Sequence, residues 1–220
     1  MADECERRAF EHPVSLRAAP ADSASPGTLD GYAAVFNSMS RDLGGWFEVI
    51  DPSAFGEASD AQVDLTMNGR VIARTNHDSN LLLGTTDVGT LRLFVDDIGI
   101  RYEVDLPATS YARDLAVLAE RGDIRFSSFA FWVLPDGADW EYGPNDELVR
   151  RVTALRLVDV APVADPAYWG SSVGLRNFDL DAIRSRLRPE TPTETEAAPD
   201  ARAAALGRIK TIRTILEGGR

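Results

Sequence analysis

The stretch that most restricts how this chain can fold is RGDIRFSSFAFWVL, Arg121–Leu134. Gly122 and Asp123 form a turn signal, and the run of aromatic and β-branched residues behind them predicts one buried strand. Two hydroxyls, Ser127 and Ser128, interrupt the apolar run between Phe126 and Phe129. A buried hydroxyl must find a partner, so serines in such a strand point to a structural or chemical task. Alternation puts Ser127, Phe129, Phe131 and Val133 on one face and Ser128, Ala130, Trp132 and Leu134 on the other. Only one of the two serines can therefore face any given partner.

The rest of the chain supplies a β-rich frame for that strand. Strands are predicted at Leu29–Phe36, with Gly31 as a bend or close approach, and at Phe47–Ile50 before the Asp51-Pro52 turn. Val63–Met67 and Val71–Thr75 flank Asn68-Gly69, a strong hairpin signal. Leu91–Val95 and Ile100–Leu106 flank the turn Asp96-Asp97-Ile98-Gly99. Val149–Leu157 and Val158–Val163 form the last strands, closed by Asp165-Pro166, and GADWEYGPNDE before them reads as a polar loop. Thr109–Arg121 carries the apolar spacing of a helix, with Thr109 or Ser110 as cap and Gly122 as stop. The expected organisation is a flexible N-terminal arm over 1–28 and a body over 29–178. A short helix over 179–188, an acidic Pro/Thr-rich linker over 189–200 and a basic helical tail over 201–220 follow. The fold class is α+β, mainly β, with helices packed outside the strands.

Composition removes several function classes. A net charge of −12 over 220 residues argues against a general nucleic-acid binder and against docking on acidic membranes. No apolar run reaches membrane-spanning length, and the charged start, Ala2–Arg8, offers no secretory leader. Cys5 is the one cysteine, which leaves no intrachain disulfide and suits a cytosolic setting. With one cysteine and the two histidines His12 and His77, no zinc-type ligand cluster can be assembled, and phosphate-cradling motifs are absent. No metal or cofactor is expected.

Serine chemistry fits what remains. A serine hydroxyl reacts only when a base within hydrogen-bond reach takes its proton, and that base needs a third group to orient it. His77 is the one histidine of the predicted body and the side chain best suited to proton transfer near neutral pH. Asp159 lies in an apolar run (Leu155, Leu157, Val158, Val160, Val163), where a carboxylate is costly unless paired. Its alternative reading is a strand-end charge facing water. Asp78 is the poorer candidate, because in an extended chain it points away from its neighbour. The candidate set is His77, Ser128 and Asp159.

Taken in order, GYAAVFN, FEVIDPSAF, NHD with LLGTT, GTLRLFVDDIGIRYEVDLP, SSFAF and VDVAPVADPAY resemble the prohead maturation proteases of tailed bacteriophages. The resemblance runs from Gly31 to Trp169. It implies kinship with herpesvirus assembly proteases, hence a closed or near-closed β-barrel ringed by helices. It also implies a serine endopeptidase that cleaves the capsid and scaffold precursors, a delta-like segment included, and its own chain. The family's histidine falls on His77, its serine on Ser128 and its acidic member, usually glutamate, on Asp159. The implied setting is the host bacterial cytoplasm, inside the assembling prohead, with self-association. The rival reading is a non-catalytic capsid-assembly or scaffold-binding protein on the same frame. An unrelated ligand-binding barrel would explain the alternating strands, but not the ordered motifs.

Overall fold

The computed structural model describes residues 5–10, 13–55, 59–62, 70–164 and 178–188. The predicted strand Val63–Met67, the Asn68-Gly69 turn, His12, Asp165-Pro166, the linker over 189–200 and the tail over 201–220 lie outside them. The chain divides into Met1–Phe178 and Asp179–Arg220. The strands of the first unit are β1 (Glu6–Phe10), β2 (Ser15–Ala18), β3 (Gly27–Val35), β4 (Phe47–Ile50), β5 (Ser59–Gln62), β6 (Ile72–Arg74) and β7 (Leu82–Thr85). They continue as β8 (Leu91–Val95), β9 (Gly99–Asp105), β10 (Phe126–Val133), β11 (Ala138–Tyr142), β12 (Leu148–Val152) and β13 (Leu155–Val163). Helix α1 is Ser110–Arg121. In the second unit, α2 is Leu180–Leu187, opened by Asp179, whose carboxylate accepts from the Ala182 N–H at 3.0 Å.

The strands form three sheets, in the orders β1-β10-β13-β6-β7, β11-β12-β4 and β2-β3-β9-β8-β5. The β13/β6 and β12/β4 pairs are parallel and the other ladders antiparallel. The fold is mainly β with two helices, but the expected closed or near-closed barrel is corrected. Among the described residues no sheet closes on itself. A barrel needs an unbroken ladder from first strand to last, whereas here the ladders stay in three separate sheets, with loop bonds such as Val14 N–H to Arg125 O at 3.2 Å between the segments that flank them. Packing does the joining. Leu29, Leu91, Ile100, Tyr102, Phe129, Phe131 and Val160 share one buried core with Ala112 and Leu115 of α1.

The N-terminal residues are not a loose arm throughout. Glu6–Phe10 pairs along β10 and Ser15–Ala18 along β3. GADWEYGPNDE is not wholly loop either, since its first part is β11, paired with β12. The break between the last two strands falls at Thr153-Ala154, where both N–H groups donate to Gly137 O at 2.8 and 3.1 Å. Gly122 ends α1 in the left-handed region (φ 81°), while Thr109 makes no side-chain cap bond at its start. Asp96 organises the β8–β9 turn by accepting from the Ile98 and Gly99 N–H groups, each at 2.9 Å.

Candidate active site

Strand β10 is flanked by β1 and β13 and carries both serines. Its register decides which serine does what. Ser128 lies opposite Ala161 and Ala130 opposite Asp159, so Asp159 shares the sheet face of Ser128. The register then slips, with Phe131 opposite Leu157. Val158 is the extra residue, and such bulges re-aim their neighbours. Ser127 turns to the other face, where its hydroxyl lies 3.0 Å from that of Tyr102. Gly31 makes room for that pair: a Cβ there would fall 2.8 Å from Ser127 Oγ and 3.1 Å from the Tyr102 hydroxyl.

His77 arrives from the next strand over. β6 runs parallel to β13, with Ile72 opposite Asp159, and the chain then turns tightly through Thr75–His77. Asn76 and His77 both have positive φ, 51° and 58°. Asparagine and histidine are among the non-glycine residues that enter that region most often, but each is held there at a cost of about 1–3 kcal/mol. The Asn76 side-chain oxygen accepts from the Ala164 N–H at 3.3 Å, which ties the turn to the end of β13.

The result is a continuous relay. His77 Nδ1 lies 2.6 Å from Asp159 Oδ1, and His77 Nε2 lies 2.7 Å from Ser128 Oγ. With Nδ1–H donating to the carboxylate, Nε2 is free to accept the serine proton. Asp159 is 2% exposed and Ser128 1%. A carboxylate so buried needs compensation; His77 provides it, with Arg74 Nη1 3.6 Å from the other oxygen. Thus the three residues singled out in the sequence are brought together, and Asp159 does not face water. Ser128 also donates to the carbonyl oxygen of Arg8 at 2.9 Å. Its single proton thus has two acceptors, His77 Nε2 and the backbone of β1.

Sequence reasoning missed Arg74 and the whole of β1. It also missed a buried cluster beside β1. Arg8 and Arg150 each reach both Glu6 and Glu48, with Arg8 Nη2 2.7 Å from Glu6 and Arg150 Nη1 2.8 Å from Glu6 and 3.1 Å from Glu48. Arg8 Nε comes within 2.6 Å of Glu48 Oε1, as a charge contact without hydrogen-bond alignment. Burial pushes the Glu48 carboxyl up, against the pull of the two guanidiniums. The available signal was charge set among apolar strand residues, Glu48 in FEVI and Arg150 beside Arg151 in LVRRV.

Comparison with known proteins identifies the family. The family model described as Caudovirus prohead serine protease matches residues 13–186, a span that leaves β1 ahead of it. No curated protein matches the chain. Among solved structures, the bacteriophage T4 capsid assembly protease gp21 is similar at 11% identity with a TM-score of 0.46, covering 76% of this chain and 98% of that one. By the extent of the family match, the chain belongs to the prohead serine proteases of tailed phages, the proteases of capsid maturation.

Proposed function

We propose that this chain is the endopeptidase of its prohead and that Ser128, His77 and Asp159 are its nucleophile, base and orienting acid. The observation that carries the reading is the unbroken run of contacts from Asp159 through His77 to Ser128, at 2.6 and 2.7 Å. Ser128 Oγ attacks the scissile carbonyl carbon while its proton passes to His77 Nε2. The imidazolium, steadied by Asp159, returns that proton to the leaving amine as the C–N bond breaks. Water then attacks the acyl-enzyme, with His77 again taking the proton, and the ester bond to Ser128 opens.

The substrates in this reading are the capsid precursor, the scaffold or its delta-like segment, and the chain itself, met inside the assembling prohead in the host cytoplasm. Kinship with the herpesvirus assembly proteases belongs to the same reading, supported by a mainly β body against whose core α1 packs. The segments 189–200 and 201–220 serve it as an acidic linker and a docking tail. Deleting everything after Arg188 and assaying encapsidation tests the tail, and normal packaging would end that part. The enzyme assignment is tested by incubating the purified chain with capsid precursor, with and without a serine-directed reagent. Cleavage that the reagent leaves untouched would refute it.

A further inference from the structure

β1 is an edge strand, laddered to β10 alone among the described residues, and Ala9 lies directly opposite Ser128. An extended segment laid on a sheet edge is one of the general ways a protein holds a peptide. Here the segment brings the carbonyl of Arg8 to 2.9 Å from Ser128 Oγ. Alternation sends the side chains of Glu6 and Arg8 to the face of Phe131 and Phe129, their partners in register. There they meet two charges built into neighbouring strands, Glu48 of β4 and Arg150 of β12, which lie opposite one another. Arg150 holds Glu6 with two bonds, at 2.8 and 3.0 Å. Glu48 takes Arg8 at 2.6 and 3.1 Å, and the Arg8 guanidinium also lies over Trp46 and Phe131 at 5.8 and 5.5 Å. All four charged residues are buried. Ion clusters this deep add little net stability but penalise any partner that leaves one of their charges unmatched. β1 also precedes residue 13, where the family match begins.

We infer that the edge of β10 beside Ser128 is a subsite for extended peptides of the form Glu-x-Arg, with the carbonyl of the basic residue at the nucleophile. Glu48 selects the basic residue, Arg150 selects the acidic one, and β1 is the occupant supplied by the chain itself. The inference rests on Ser128 as nucleophile. While Ser128 donates to Arg8 O, its proton is not on offer to His77, so the docked strand also restrains the enzyme. When the proton turns to His77, Oγ can bond to the Arg8 carbonyl carbon and the bond to the Ala9 nitrogen breaks. That nitrogen leaves with the proton from His77, and water then frees residues 1–8.

The test uses the full chain and a set of synthetic peptides that vary at the two positions matching Glu6 and Arg8, with products read by mass spectrometry. Peptides carrying Glu-x-Arg should be cleaved after arginine about 10²-fold faster than those with glutamine at either place, the discrimination expected of a buried, unmatched charge. Glu48→Gln should flatten the preference for arginine and Arg150→Gln the preference for glutamate, with circular dichroism and thermal unfolding of each variant as the control for folding. If either variant fails to fold, the wild-type profile decides alone. In a Ser128→Ala chain, millimolar Glu-x-Arg peptide should displace β1 and raise the reactivity of Cys5, the half-buried thiol next to that strand; the neutral peptide should not. Cleavage without either preference would overturn the subsite and leave the protease standing. The thiol response without any wild-type cleavage would do the reverse. Neither response would overturn both.

Discussion

Ser127→Ala separates the two serines by what each one loses. Ser127 and Tyr102 are both fully buried, and their hydroxyls lie 3.0 Å apart. Alanine at 127 strands the Tyr102 hydroxyl in the core, which costs about 1–3 kcal/mol. For a chain of this size each kcal/mol lowers the melting temperature by about 2–4 °C, so the shift is roughly 2–12 °C. Adding Tyr102→Phe removes the stranded group as well. The double variant should then be more stable than the sum of the two single losses predicts, by about 1 kcal/mol or more. Thermal unfolding followed by circular dichroism measures all four proteins, and capsid-precursor cleavage is assayed below the lowest midpoint. Cleavage should persist in Ser127→Ala, because that hydroxyl faces away from His77. Additive losses within about 0.5 kcal/mol, or loss of cleavage in a folded Ser127→Ala protein, would refute the division of labour.

His77→Ala should depress cleavage about as far as Ser128→Ala, since members of a relay act as a unit; Asp159→Asn should hurt less than either, and an unchanged rate in single-turnover kinetics would remove Asp159 from the relay. Gly31→Ala should destabilise by about 1–3 kcal/mol, because its Cβ would meet Ser127 Oγ at 2.8 Å and Val14 Cγ1 at 3.0 Å; an unchanged denaturation midpoint would contradict the close packing there. Burial, and then the bond to Asp96, push the Tyr32 phenol up from 10.0 to about 12. That folded value lies above the unfolded one, so the stabilisation is complete below about pH 10 and fades as pH rises through about 12. Absorbance titration should find this phenol ionising late in the wild type and earlier in Asp96→Asn, and identical curves would count against the pairing.

What could be read from the chain depended on whether the cause was local. β4 and β8 match their predicted bounds, and α1 differs by a residue, because apolar spacing and turn residues specify them nearby. The faces of β10 were legible because alternation alone separates Ser127 from Ser128. Asp159 stood out because a carboxylate in an apolar run needs a partner. By contrast, β1 (ERRAF) reads as solvated chain, since the groups that bury Glu6 and Arg8 come from Glu48 and Arg150, far along the sequence. β11 was hidden for a related reason: its alternation is half-exposed and its ladder is supplied by β12. Sheet closure is likewise a property of how edges meet in space, and hydropathy along a strand carries no record of it.

The central claim, that residue 128 supplies the nucleophile, is tested most directly by co-expressing the capsid precursor with the wild-type chain, Ser127→Ala and Ser128→Ala, and weighing the intact products by mass spectrometry. Trimmed precursor with the first two and full-length precursor with the third is the expected pattern. Trimming that survives Ser128→Ala would contradict it.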